Sequence, residues 1–122
     1  MKTQRKKIIE TTDKRLSPFS QIHVGSRTYL SSSEIVMISA ETSYSYIHLN
    51  DGKRIIVSTN IQKLQERLLG VRNMVRVHRS HIINTRYLKS IDGTKAYLTH
   101  DNQCVISRRK RIDLINAIQI IK

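Results

Sequence analysis

Cysteine and long apolar runs are scarce in this chain of 122 residues, and each shortage excludes a class of protein. The single cysteine, Cys104, cannot form an intrachain disulfide, which fits the reducing cytoplasm. No uninterrupted apolar run approaches the roughly 20 residues that a membrane-spanning helix needs. The basic start of the chain also lacks the apolar segment and cleavage site of a signal peptide. We therefore expect a cytoplasmic protein that is not inserted in a membrane.

Acidic residues are also few. Only 9 Asp and Glu residues accompany 22 Lys and Arg residues, which gives a formal net charge of +13. No acidic residue lies between Arg67 and Ile91. A positive excess of this size raises the local concentration of polyanions and speeds encounter with them. The composition thus indicates DNA, RNA or an anionic membrane surface as the partner, and it says little about the fold.

Clusters of residues that hold metals or carry out hydrolysis are missing as well. The histidines and Cys104 show no zinc-ligand spacing, and His78 and His81 are expected to point to opposite faces of a strand. A histidine paired with Glu41 or Asp51 would resemble the acid–base pair of a nuclease, but no grouped carboxylates accompany it to hold Mg²⁺. We therefore predict no metal, no cofactor and no enzymatic activity.

What the sequence does contain is a pattern of short strands. The length allows one domain with a real core, and we interpret residues 1–20 as a basic N-terminal arm and residues 21–122 as the domain. Alternating apolar residues and glycine-containing turns predict antiparallel strands, with a central one at Ile35 to Ala40. A helix with an apolar stripe is predicted from Thr59 to Gly70, with Thr59 as its cap, and a second helix follows Ser107. The predicted fold class is therefore mostly β, with two small helices.

The stretch from Arg76 to Asn84, RVHRSHIIN, concentrates hydrogen-bond donors between apolar anchors. Val77 occupies a buried position of an alternating strand, and two isoleucines resume the apolar pattern on the other side. Between them lie His78, Arg79 and Ser80. Arginine bridges O6 and N7 of guanine, while histidine and serine donate to bases or phosphates. We interpret this stretch as an anion-contacting element, although a histidine such as His78 is by itself more often a structural hydrogen-bonding residue.

The last helix begins with a run of cations directly after its capping residue, Ser107. These cations are Arg108, Arg109, Lys110 and Arg111. Each is unfavourable there by about 0.3–1 kcal/mol, because the helix dipole is positive at the N-terminus. A sequence selected for folding alone would prefer Asp or Glu in these positions. The run therefore predicts contact with a phosphate backbone, with one arginine in reach of a guanine edge.

The same helix carries Ile112, Ile115 and Ile118 at intervals of three residues. This spacing is typical of the apolar stripe of a helix. We expect the stripe to pack against the domain and not to recognise a partner.

Four segments carry a resemblance to a known family, and they occur in the order ISAETSYSYIHLNDGKRIIV, NIQKLQERL, RVHRSHIIN and VISRRKR. From Ile22 to Ile120 the chain resembles the LytTR family of bacterial DNA-binding domains. The resemblance implies an elongated arrangement of short antiparallel sheets with small helices. It also implies a sequence-specific transcriptional regulator whose loops enter successive major grooves on one face of double-stranded DNA and bend the duplex.

The resemblance also implies roles for individual residues. The DNA-binding residues that it implies are Thr42, Ser43, Tyr44, His78, Arg79, Ser80, Arg108, Arg109 and Lys110. The Glu41 to Tyr44 loop would be one reading element, although the family varies there and the target sequence is not transferable. The turn that starts at His78 would contact mostly phosphates, and Arg109 would read a base. Asn84 would be structural, capping the turn after its strand.

Partners follow from the same resemblance. Members of the family usually follow a receiver or a membrane sensor, and this chain shows neither. The resemblance therefore implies a stand-alone, response regulator-like protein or control by a separate regulatory partner. It also implies binding to paired direct repeats, with two copies able to form a homodimer on the DNA.

The residues alone leave two other classes open. An RNA-binding module shares the charge but usually shows exposed aromatic rings for base stacking. The chain has five Tyr, one Phe and no Trp, and Tyr44 and Tyr46 are the only close pair on one face of a strand. A protein-interaction domain on the same fold would lack the contact residues, which are present here.

Overall fold

The computed structural model describes residues 20–121, apart from the side chains of Ala117, Gln119, Ile120 and Ile121. Residues 1–19 of the predicted basic arm lie outside the described residues. The strands are β1 (Gln21–Gly25), β2 (Thr28–Ser31), β3 (Ile35–Glu41), β4 (Tyr44–Leu49), β5 (Arg54–Val57), β6 (Met74–His78), β7 (His81–Asn84), β8 (Leu88–Asp92), β9 (Lys95–Leu98) and β10 (Gln103–Val105). The α-helices are α1 (Ile61–Arg67) and α2 (Arg108–Ile121), and 3₁₀ turns precede β3 and β8 at Ser32–Glu34 and Thr85–Tyr87.

The strands form three antiparallel sheets. The first is the β1–β2 hairpin, the second has five strands in the order β5-β4-β3-β7-β6, and the third has the order β10-β9-β8. With two α-helices in the described residues, this confirms the predicted mostly β fold class. Most neighbours in the sheets are also neighbours along the chain. The exception is the pairing of β3 with β7, which brings two distant hairpins into one sheet.

The five-stranded sheet lies between two apolar cores. One core joins the sheet to the β1–β2 hairpin and α1, and its centre includes Ile38, Ile47 and Leu64. The other joins the opposite face to the three-stranded sheet and α2. Its members are Val36, Met37, Val77, Ile83, Ala96, Leu98, Cys104, Ile106 and Leu114. The first four residues of β3 contribute to both cores, which explains why they form a continuous apolar run, and the position of β3 in the sheet confirms the predicted central strand.

Helix α1 starts later than the sequence predicts. Its N-cap is Asn60, whose Oδ1 accepts a hydrogen bond from Lys63 N at 2.8 Å. The prediction of Thr59 as the cap was therefore wrong by one residue, in keeping with the stronger capping preference of asparagine. The carbonyl of Thr59 instead accepts a hydrogen bond from Ser45 Oγ at 2.7 Å. This bond ties a buried residue of β4 to the start of the helix.

The apolar stripe of α2 also differs from the prediction. Leu114 is fully buried and Ile118 packs against the same core, whereas Ile112 is 66% exposed. The predicted packing is therefore confirmed for Ile118 and wrong for Ile112. Successive steps of three residues drift around a helix of 3.6 residues per turn, while the step of four from Leu114 to Ile118 nearly returns to the same face. Within the described residues, no helix is long and apolar enough to cross a membrane.

Replacement of Gly25, at the end of β1, by alanine is predicted to destabilise the domain. Its φ is +116°, and an added Cβ would collide with Oγ1 of Thr59. We expect Gly25→Ala to lower the free energy of unfolding by about 2 kcal/mol, measured by urea denaturation. Gly93→Ala is the matched control, since Gly93 has φ +61° but nothing within 4 Å of the added Cβ. Gly93→Ala should lower the free energy of unfolding by only about 1 kcal/mol, which is the cost of the left-handed backbone conformation. Equal losses of stability in the two variants would contradict the steric argument.

Candidate nucleic-acid interface

Two of the predicted DNA-binding segments are turns at the same end of the five-stranded sheet. One turn follows β3 and carries Thr42, Ser43 and Tyr44, and the other joins β6 to β7. The two turns are held side by side because Ala40 N donates a hydrogen bond to Ser80 O at 2.8 Å, next to the Ser39–His81 pair of β3 and β7. Pairing between distant strands therefore places the Tyr44 turn beside the Arg79–Ser80 turn.

The third predicted segment, the first turn of α2, lies on the other side of the β6–β7 turn. Ser107 N donates to Val77 O at 2.8 Å, which attaches the start of the helix to β6. Ser107 Oγ accepts from Lys110 N at 3.2 Å and so caps the helix, as the sequence predicts. The order along this edge is therefore the Tyr44 turn, the Arg79–Ser80 turn and the first turn of α2.

A basic groove of about 590 Å³ lies between the β6–β7 turn, α1 and the first turn of α2. It is lined by Gln65, Arg76, His78, Arg79, Ser107, Arg108, Arg109 and Lys110. The structure thus brings together five of the nine predicted DNA-binding residues on one concave surface. Ser80 and the Thr42–Tyr44 turn are not part of its lining and lie toward β3.

Most of the side chains at this edge are open to a partner. Arg79, Arg108 and Arg109 are exposed, and Lys110 is half-buried. Tyr44 is 48% exposed at the tip of its turn. Its neighbour Thr42 adopts a φ of +51°, with Oγ1 donating to Glu41 O at 2.6 Å. The arrangement offers cations in the groove and polar and aromatic groups on the adjacent turn.

Arg76 holds the β6–β7 turn in place, a role that the sequence prediction missed. Its Nε donates to His78 O at 2.8 Å, and its Nη2 donates to Arg79 O. Its Nη1 donates to the side chain of Gln65 on α1. The spacing of Gln62 and Gln65 on one face of α1 was the available signal, since amides three residues apart can meet a single guanidinium. Arg76 therefore links the turn to α1.

A chain of hydrogen bonds connects the two histidines of the β6–β7 turn through Ser80. His78 Nδ1 accepts from Ser80 N at 3.1 Å and lies 2.8 Å from Ser80 Oγ, which is 3.0 Å from His81 Nδ1. The prediction that the two rings point to opposite faces was wrong. The strand ends at His78 and the chain reverses, so that His78 and His81 are cross-strand partners with ring centroids 5.7 Å apart.

The environment of His81 keeps its ring uncharged at neutral pH. Burial, and to a smaller extent charge repulsion from the neighbouring rings of His78 and His48, lowers the pKa of His81 to about 4. Within the described residues, no group of three or more His, Cys, Asp or Glu side chains is arranged to hold a metal ion. Cys104 is buried away from the groove, and burial raises the pKa of its thiol to about 11.

Comparison with known proteins identifies relatives of this fold. The sequence model of the LytTr DNA-binding domain family matches residues 25–119. No curated protein sequence matches the chain. A solved LytTr DNA-binding domain, from a Bacillus cereus protein described as a methyl-accepting/DNA response regulator, is similar in structure, with a TM-score of 0.64 and 14% sequence identity. The similarity covers 84% of this chain and 97% of that domain.

Proposed function

Because the chain belongs to the LytTr DNA-binding domain family, we propose that it is a transcriptional regulator that binds specific sites in double-stranded DNA. The observation that carries the proposal is the order of the three segments along one edge of the sheet. The Tyr44 turn, the Arg79–Ser80 turn and the first turn of α2 lie in a row and face outward. A row of projecting elements suits a duplex, whose grooves and phosphates repeat along one face.

The individual contacts divide into positioning and reading contacts. Arg79, exposed at a turn, is proposed to contact phosphates and fix the register of the domain on the duplex. Arg109, exposed in the first turn of α2, is proposed to bridge O6 and N7 of a guanine in the major groove. The Thr42–Tyr44 turn enters a neighbouring major groove. Contact of Arg109 and of the Thr42–Tyr44 turn with two major grooves bends the duplex toward the protein, and the elastic cost of this bending depends on the DNA sequence.

The cations at the start of α2 support DNA as the partner. Arg108, Arg109 and Lys110 lie where the helix dipole disfavours positive charge. Ser107 and these three residues line the groove, so the positive end of the helix dipole and the cationic side chains act on the same site. A bound phosphate reverses the unfavourable electrostatics at this position.

RNA binding is the alternative, and the aromatic side chains disfavour it. Recognition of single-stranded RNA usually needs rings that are free to stack on bases. The guanidinium carbon of Arg54 lies 4.3 Å from the ring centroid of Tyr46, so one face of that ring is already covered. Of the pair Tyr44 and Tyr46, Tyr44 is therefore the ring that stays exposed.

The regulator is proposed to act without catalysis and in the cytoplasm. It binds paired direct repeats, with two copies forming a homodimer on the DNA. It acts either as a stand-alone regulator or under the control of a separate regulatory partner. The surface facing the DNA is the edge already described, so the partner and the second copy contact other parts of the domain.

Binding is expected to depend steeply on salt. Each phosphate that a Lys or Arg neutralises contributes about −0.9 to the slope of log K against log salt concentration. The measurement uses duplexes selected from a random pool with the purified protein, titrated at several salt concentrations. Single-stranded RNA of the same sequence is the control. A flat salt response, or tighter binding to the RNA than to every selected duplex, would reject the proposal.

A further inference from the structure

The hydrogen bonds around Ser80 determine which nitrogen of His78 carries a proton. Ser80 N–H donates to His78 Nδ1 at 3.1 Å, so Nδ1 is the acceptor nitrogen of that ring. The contact of 2.8 Å between the same Nδ1 and Ser80 Oγ is then a bond donated by the hydroxyl. In a neutral imidazole the proton must therefore be on Nε2 of His78.

The direction of the next bond follows from the first. The single hydroxyl proton of Ser80 is committed to His78, so Ser80 Oγ accepts in its contact of 3.0 Å with His81 Nδ1. His81 is therefore the Nδ1–H tautomer. Burial and the neighbouring rings lower the pKa of His81 to about 4, so this ring is neutral, and each hydrogen bond in the chain keeps its direction.

We propose that Ser80 and His81 are positioning residues that act through His78, holding it as the Nε2–H tautomer so that it donates one hydrogen bond to DNA. His78 lines the basic groove, and its Nε2 is on the side of the ring away from Ser80. The acceptors that fit such a donor in DNA are N7 of a purine, O6 of guanine, O4 of thymine and a phosphate oxygen. Ser80 contributes no donor of its own to the DNA.

This inference rests on the proposed function for its DNA contact, but the tautomers are measurable in the free protein. Long-range ¹H–¹⁵N spectra of the ¹⁵N-labelled full chain distinguish protonated from unprotonated ring nitrogens. We expect a proton on Nε2 of His78 and on Nδ1 of His81 at pH 7. A proton on Nδ1 of His78 would overturn the inference, whatever the protein binds.

The matched variants His81→Asn and His81→Leu test the positioning role. An asparagine amide presents an N–H donor near the position of His Nδ1, whereas leucine has a similar size and no donor. We expect His81→Leu to weaken binding to a selected duplex by about 2- to 12-fold, the range for one hydrogen bond, and His81→Asn to retain the affinity of the parent within about 2-fold. Equal losses in the two variants would show that the ring of His81 matters only for packing.

The salt response tests whether His78 acts as a neutral donor. His78→Leu should weaken binding by about tenfold without changing the slope of log K against log salt, because a neutral group releases no counterion. Arg79→Leu should reduce the slope by about 0.9. A reduced slope in His78→Leu would overturn the inference while leaving the proposed function intact. Absence of salt-dependent binding to any duplex would instead reject the proposed function.

Discussion

Arg109→Lys is expected to keep nonspecific affinity for DNA and to lose about 1–3 kcal/mol of discrimination at one base pair. The guanidinium of Arg109 is exposed and lies at the groove in the first turn of α2. A contact with phosphate needs only a cation, which lysine supplies. A bidentate contact with O6 and N7 of guanine needs the planar fork of arginine, which lysine cannot reproduce. The measurement is the affinity of parent and variant for the selected site and for its single-base substitutions.

Arg79→Lys is the matched control for this experiment. Arg79 is also exposed at the groove, but its proposed contact is with phosphate, so lysine should preserve the pattern of base preference. Any loss should be similar at all positions of the site. If Arg109→Lys discriminates as well as the parent, Arg109 contacts the backbone, and the base-reading residue must be sought in the Thr42–Tyr44 turn or at His78.

Features set by neighbouring residues could be predicted from the sequence. The hairpin of β4 and β5 is of this kind, because the residues Asp51-Gly52 favour a tight turn and the alternation of apolar residues specifies the strands on either side. The central strand β3 was predictable because its first four residues, which are all buried, form an apolar run without polar positions. The cap of α2 was also predictable, because Ser107 accepts its hydrogen bond from Lys110 N, only three positions away.

The groove itself could not be predicted from the sequence without the family resemblance. Ser107 N donates to Val77 O, which is 30 residues earlier, and this bond brings the first turn of α2 to the groove. Ala40 N donates to Ser80 O, which is 40 residues later, and this bond brings the Tyr44 turn beside the β6–β7 turn. These bonds depend on the pairing of β3 with β7 and on the packing of α2, which no local pattern specifies. The role of Arg76 was missed for the same reason, since its partner Gln65 is on another element. The nine DNA-binding residues themselves stay a prediction.

Asn84→Ala is expected to lower the free energy of unfolding by about 2–4 kcal/mol, because it removes the four hydrogen bonds of one fully buried side chain. Asn84 is 0% exposed at the end of β7. Its Nδ2 donates to Ser32 O at 3.2 Å and to Ile35 O at 2.8 Å. Its Oδ1 accepts from Arg86 N at 2.9 Å, which confirms the predicted cap, and from Asn73 Nδ2 at 2.6 Å. One amide thus joins the 3₁₀ turn before β3, the loop before β6 and the turn before β8, and the melting temperature should fall by at least about 8 °C.

Asn50→Ala is the matched control, because Asn50 is also an asparagine that makes hydrogen bonds, but at the protein surface. Asn50 is exposed, and its Nδ2 donates to Ser33 O at 3.3 Å and to Tyr87 Oη at 3.2 Å. Water replaces these partners, so the loss should be below about 1 kcal/mol. Asn84 lies at the end of β7 that is away from the β6–β7 turn. Asn84→Ala should therefore retain the base preference of the parent at temperatures where it is folded. If Asn84→Ala is as stable as Asn50→Ala, water enters the site and replaces the hydrogen bonds of Asn84. If Asn84→Ala has an altered base preference, Asn84 also orients the interface.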